Sequence, residues 1–253
     1  MNFEHILEHH LMDDRFQHLW IGGIDFGLSK HLVMMWIVCA VATLVLSFAA
    51  HSESGIGGML RGAVEAIVLY LRDEVLHPIF HEHTDTYLPY FLTLFFFILI
   101  SNLVGLVPGA SAITANITVT ASLATCTFLL IQFAGFKEQG PVSYVKHIVP
   151  GGVPLLLWPM LFVIECFGML VKCFSLCIRL FANIIAGHIV SLAFLSVIFI
   201  FAEASKIVGL AVSPAAVGLA LFVVTLDVLV SFLQAYIFTM LTALFVGAAV
   251  HPH

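Results

Sequence analysis

LLLWPMLFVIECFGMLVKCFSLCIRLFANIIAGHIVSLAFLSVIFIFA, residues 155–202, is 48 residues of nearly unbroken apolar sequence. As a single helix it would run about 70 Å, more than twice the about 30 Å of a bilayer's hydrocarbon core. A second stretch, residues 215–250, is 36 residues long and would reach about 55 Å. Either each stretch folds back on itself, or both are long helices lying steeply tilted against a partner. Mismatch of this size is far beyond what ordinary tilt absorbs.

The 253 residues are 61% hydrophobic and 9% charged, against about 25% charged in ordinary soluble domains. That excludes a soluble globular protein. Residues 32–50 form an apolar run long enough to cross once, preceded by Lys30 and followed by a turn containing Ser52, Ser54, Gly55, Gly57 and Gly58. Residues 87–108 and 117–134 give two more crossings, and the latter is closed by a polar loop with Lys137, Glu138, Gln139, Gly140, Pro141 and Lys146. In residues 59–77, Val64, Ile67, Val68, Leu71 and Val75 share one helical face, while Arg61, Glu65 and Arg72 share another. Such a helix lies on a membrane surface.

The expected architecture is an all-α polytopic integral membrane protein, one membrane domain over residues 1–253. It has a polar segment at 1–31, about five inserted helices counting each long stretch as one net crossing, and an amphipathic surface helix. With the N-terminus outside, Arg61, Arg72, Lys137 and Lys146 all fall inside, as the positive-inside rule requires; Arg15, Lys30 and Lys206 oppose it. The first 31 residues carry Glu4, Glu8, Asp13, Asp14, Asp25 and five of the 13 histidines. This is the reverse of a basic leader, so an uncleaved N-terminus is expected.

A net charge of −6 without a basic patch argues against nucleic acid as a partner. Cys39, Cys126, Cys166, Cys173 and Cys177 lie in apolar segments with no CxxC or zinc-ligand spacing, and read as small buried hydrophobes. His9, His10, His81, His83, His251 and His253 read as solvated rather than metal-binding, and no metal or cofactor is expected.

The chemistry sits in the long stretches. Glu165, Lys172 and Arg179 recur every seven residues on nearly one helix face, which Asn183 continues at i+4. Asp227, Ser231 and Gln234 share a face at i, i+4 and i+7. A charge in hydrocarbon costs about 2.5–3.5 kcal/mol or more, so these positions mark a function. Arg179 cannot lose its proton at accessible pH; it can pair with a carboxylate or repel cations, the bland alternative being an internal salt bridge to Asp227. His188 and Asp227 can both take and release protons, although a lone histidine could equally be a core residue bonded to a carbonyl. Glu165 and Lys172 either line an aqueous inlet or snorkel. Asn102, Asn116, Thr118 and Thr120 can hydrogen-bond between helices; the Asn116-Ile117-Thr118 sequon lies too near a span to carry a glycan.

LCIRLFANIIAGH at 176–188 closely resembles the RLF(A/G)N…AG motif of subunit a of rotary F-type ATP synthases. FLQAYIFTMLT at 232–242, NLVGLVP at 102–108 and TANITVT at 114–120 resemble further segments of that family, so the likeness covers about residues 100–245. The resemblance implies a stator chain beside a ring of c subunits, held by b-type peripheral stalk subunits within the ATP synthase and the lipid bilayer. The two long helices would form a nearly horizontal hairpin against the ring, resolving their excess length. It implies two offset aqueous half-channels separated by Arg179, with Asn183, His188, Asp227 and Gln234 along the ion path. Glu165 matches a family carboxylate upstream of the arginine; Lys172, Ser231, Asn102 and Asn116 are further lining candidates. A familiar bacterial pattern has Glu at position 188 and His at 227; here acid and imidazole are exchanged.

The function implied is ion translocation, with the proton favoured by the His/Asp pair, in a bacterial inner membrane and without covalent chemistry in this chain. A proton-coupled secondary transporter is the runner-up, but no internally related halves are visible. A membrane anchor would not need Arg179 opposite a polar stripe, and a membrane hydrolase would need a constellation that Glu165 and His188 do not form.

Overall fold

The computed structural model describes residues 15–17, 20–21, 24–25, 28–52, 55–107, 113–140, 143–144, 154, 157–204 and 206–250. His9, His10, His251, His253, Lys146 and the ends of the loops fall outside these. The polar segment contributes two minimal antiparallel strand pairs, β1 (Arg15–Gln17) with β4 (Leu28–Ser29) and β2 (Trp20–Ile21) with β3 (Ile24–Asp25). The rest is a helical membrane protein with five stretches long and apolar enough to cross a bilayer.

Helix α1 (Lys30–His51) is the first of them. Next, α2 (Gly55–Tyr70) continues through a π-helical stretch (Leu71–Leu76), a short α3 (His77–Phe80) and a 3-10 turn (His81–His83) into α4 (Thr84–Gly105). This run is a hairpin, not one rod. Thirteen residues of straight helix would separate Arg72 from Asp85 by about 20 Å, yet Arg72 Nη2 lies 3.1 Å from Asp85 Oδ1. The reversal falls where His81 adopts φ 46°, a value rare outside glycine. Phe80 stacks back on Tyr87 and Phe91, with ring centroids 4.7 and 5.6 Å apart. Leu71, Val75, Leu76 and Phe80 are buried while Arg72, Asp73 and Glu74 are exposed, so the amphipathic character read from residues 59–77 persists into the π-helical turn.

After a 3-10 turn (Ile113–Ala115), α5 (Ile117–Gln139) ends at Gly140, whose φ of +78° and N–H bond to Phe136 O at 3.0 Å close the helix. The two long stretches are two long helices, α6 (Trp158–Ala204, 47 residues) and α7 (Lys206–Val250, 45 residues). At about 70 Å each they cannot stand upright in a bilayer. In the most apolar 18-residue window of each, only 17% is buried within the chain, against 44% in the 57–105 run.

The chain forms two compact units. Met1–Val45, Phe96–Asn116 and Leu180–Ala235 make the first, with Val38, Ile98, Ile113, Leu180, Ile184 and Ala220 in its core. Within it α6 meets α7 where Gly187 faces Asp227. Leu46–Phe95, Ile117–Arg179 and Tyr236–His253 make the second, where Lys172 of α6 faces Phe245 of α7 and Gln139 Nε2 donates to Ala249 O at 2.6 Å.

The expectation that all five cysteines are buried holds for Cys173 and Cys177 only; Cys39 and Cys126 are exposed and Cys166 is half-buried. In a membrane span, a small apolar group on the outer surface meets lipid and incurs no penalty, so hydrophobicity alone does not send it inward.

Candidate functional site

Arg179 projects from the apolar middle of α6 and is exposed. Among the described residues it makes no ion pair. Its neighbours along the helix are Phe174, which is 64% exposed, and the small residues Ser175 and Ala182, which are also exposed. A guanidinium on such a face is costly in hydrocarbon and has its five donors free for an external carboxylate.

Lys172 is exposed as well, with Nζ 5.3 Å from the centroid of the Phe245 ring. This cation–π contact holds the ammonium against α7 and contributes about 0.5–1 kcal/mol at an exposed position. Glu165 is half-buried two heptads before Arg179.

In the unit that contains residues 180–235, the decisive contact is made by a glycine. A Cβ built on Gly187 would lie 2.7 Å from Asp227 Oδ2 and 2.8 Å from Oδ1. The carboxylate is therefore seated on the bare backbone of α6, at the residue before His188. Asn183 is half-buried one turn earlier on the same helix. The imidazole of His188 lies outside the described part of the structure. One and two turns beyond Asp227 on α7, Ser231 and Gln234 are 1% and 5% exposed, and neither Ser231 Oγ nor Gln234 Nε2 has a hydrogen-bond partner among the described residues.

Asn102 is fully buried at the end of α4, where Thr114 Oγ1 donates to its Oδ1 at 2.9 Å. That bond ties the turn at Ile113–Ala115 to α4, a structural task, and leaves Asn102 Nδ2 unpartnered. Asn116 is half-buried immediately before α5, its N–H bonded to Ile113 O at 3.1 Å. Thr120 Oγ1 bonds to Ile117 O at 3.1 Å and lies 3.4 Å from Cys177 Sγ, joining α5 to α6. Gly187 was not singled out from the sequence, although it stands inside the 176–188 block. Ser101 and Thr239 were also missed: both are fully buried with hydroxyls that have no partner among the described residues, and nothing in their spacing distinguishes them from ordinary helical Ser and Thr. Among the described residues no group of three or more His, Cys, Asp or Glu side chains could hold a metal ion.

Long apolar helices with ionisable side chains in mid-span place the molecule among polytopic α-helical membrane proteins. The match to known proteins is more specific. Residues 32–247 match the ATP synthase A chain family, and the chain belongs to it. It is 42% identical over 239 residues to ATP synthase subunit a of Anaeromyxobacter sp. (strain Fw109-5), covering 93% of this chain and 57% of that protein. ATP synthase subunit a of Chloroherpeton thalassium is 38% identical, over 91% of this chain and 68% of its own. For Myxococcus xanthus the figures are 39%, 92% and 77%. The chain thus spans little more than half of the first of these relatives and about two thirds of the second. The family is the non-catalytic membrane-sector component of the synthase.

Proposed function

We propose that this chain is the proton-translocating stator of a bacterial ATP synthase, working against a c-subunit ring and a peripheral stalk in the inner membrane. The observation that carries this reading is Arg179: a permanent cation on an exposed apolar face of a helix, with no ion-pair partner among the described residues. It calls for a carboxylate that arrives from outside and leaves again.

The mechanism follows from the charges. A proton entering one half-channel neutralises a carboxylate on the ring, which lets that site rotate into lipid, where a bare anion would be prohibitively costly. When the site comes to Arg179, the opposite charge favours the ionised form and lowers the carboxyl pKa. The proton then leaves through the second half-channel. Because arginine keeps its own proton, Arg179 also bars a direct leak between the two. Each proton driven by the membrane potential supplies about 2.3 kcal/mol per 100 mV, delivered as torque on the ring.

Asn183, His188, Asp227 and Gln234 line the proton path in this proposal, with Ser231 beside them. The Asp227 carboxylate against Gly187, one residue from His188, supports transfer between an acid and an imidazole carried on two different helices. Glu165 and Lys172 lie on the Arg179 face toward one mouth of the path.

The test is ATP-driven acidification of inverted vesicles holding the whole complex, native against Arg179→Ala at matched assembly. Loss of pumping with the complex intact is expected. Normal pumping by Arg179→Ala would remove the central residue from the mechanism and overturn the proposal.

A further inference from the structure

Helix α7 is gripped very unevenly along its length. Large apolar side chains stand exposed through its middle, among them Leu219, Leu221, Phe222, Leu229 and Leu233. Over the last two turns the pattern reverses, and Ala243, Val246, Ala249 and Val250 are all buried.

Side chains from α3, α5 and α6 converge on those turns. From α3, a methyl of Ile79 lies against the bare backbone of Gly247, so close that a Cβ at position 247 would collide with it. From the end of α5, Gln139 Nε2 donates to Ala249 O at 2.6 Å. The last carbonyls of a helix have no intrahelical partner, so this bond both closes α7 and tethers it. From α6, Lys172 Nζ stands over the Phe245 ring. All of these residues lie in one compact unit, and the Ile79 side is itself fixed, because the adjacent Phe80 is fully buried and packs on Tyr87 and Phe91 of α4.

Ile79, Gly247 and Gln139 carry no group that can take up or release a proton, so their contribution is mechanical. The force that turns a ring acts equally and oppositely on the helix beside it. Helical carbonyls point along the helix axis, so the Gln139 bond opposes sliding of α7. The Ile79 methyl against Gly247 opposes rolling, since rotation would bring the side chain of Val246 or Ala248 onto it.

We propose that Gln139 and Ile79 are positioning residues that make the C-terminal end of α7 a load-bearing anchor, holding this helix against the reaction force of the moving ring. The anchor rests on the stator reading above and deepens it by naming where in the chain the force is borne.

The experiment compares the assembled complex in inverted vesicles at two loads: the initial rate of ATP-driven acidification, before a gradient opposes it, and the steady gradient finally held. Gln139→Ala removes the tether, and Gly247→Ala forces Ile79 off its seat. Both should start at the native rate yet hold a several-fold smaller gradient, with unchanged decay once ATP is removed. Gln139→Lys, whose ammonium can donate to the same carbonyl and suits a helix C-terminus, should restore the gradient, whereas Gln139→Glu should not. A native gradient in Gln139→Ala, or lysine and glutamate variants that behave alike, would overturn the inference. So would a fall in initial rate and gradient together, because misassembly or a blocked path slows pumping at every load, and so would faster decay, which marks a leak. Should Gly247→Ala fail to assemble, the Gln139 series decides alone. Normal pumping by Arg179→Ala would refute the stator reading itself; loss of pumping there with a native gradient in Gln139→Ala would refute the anchor alone.

Discussion

Gly187 and Asp227 show how little space decides the position of a charge. A methyl group on residue 187 would come within 2.7 Å of the carboxylate, so Gly187→Ala must push Asp227 aside by several tenths of an ångström. Where a helical glycine has open space, alanine stabilises by about 0.5–1 kcal/mol; here overpacking of about 1–3 kcal/mol opposes that gain. The side chain of Asp227 can swing, so the complex should still assemble. Proton transfer depends steeply on donor–acceptor geometry, and Gly187→Ala should lower ATP-driven pumping several-fold and shift its pH dependence. Native rates across the pH range would show that the carboxylate has room to spare and that its seat is incidental. The polar stripe Asp227–Ser231–Gln234 and the cation at Arg179 were legible from helical periodicity, because charge in hydrocarbon is conspicuous in any reading. The glycine was not: its importance lies in what approaches it from another helix, and a missing side chain leaves no mark in a hydrophobic pattern.

The elements divide in the same way. The 155–202 and 215–250 stretches could be recognised as too long for upright crossings from length alone, and they are the helices α6 and α7. Between residues 55 and 105 the pattern predicted a surface helix and a separate crossing, but not the π-helical turn or the reversal at His81, since neither backbone state follows from hydrophobic spacing. The loop after α5 is a further case. Tyr144 is buried against Gly135, lies edge-on to Phe136 with ring centroids 5.0 Å apart, and donates to Gln132 Oε1 at 3.2 Å. Burial raises its phenol pKa above the ordinary 10.0, and charge at Cys166 adds to the shift. A raised folded pKa means that this stabilisation is complete below pH 10 and is lost as pH climbs through the folded value. Tyr144→Phe should cost about 0.5–1.5 kcal/mol near neutral pH through the lost hydrogen bond, and should flatten the alkaline fall in stability above pH 10. Thermal unfolding of the solubilised protein at the two pH values checks both signs. An equally steep alkaline fall in the phenylalanine variant would place the titrating group elsewhere.

For the whole molecule, the exposed apolar faces of α6 and α7, and an Arg179 that makes no ion pair among the described residues, fit the proposal that this chain supplies one half of a working interface. If protons could pass through this chain unaided, a membrane potential would drive a leak worth about 2.3 kcal/mol per charge per 100 mV, and no torque would result. In the proposed mechanism, two half-channels that meet only through a ring carboxylate avoid this, and the Arg179 guanidinium between them adds an electrostatic barrier to any stray proton. The purified chain reconstituted alone in liposomes should therefore conduct no more protons under an imposed potential than empty liposomes, as read by an entrapped pH dye. Adding the c-subunit ring should restore conduction, and Arg179→Ala should alter what the ring restores. Rapid conduction by the chain alone would require a continuous water path from face to face, in which case the ring would be a passenger and Arg179 could not be the element that turns ion flow into rotation.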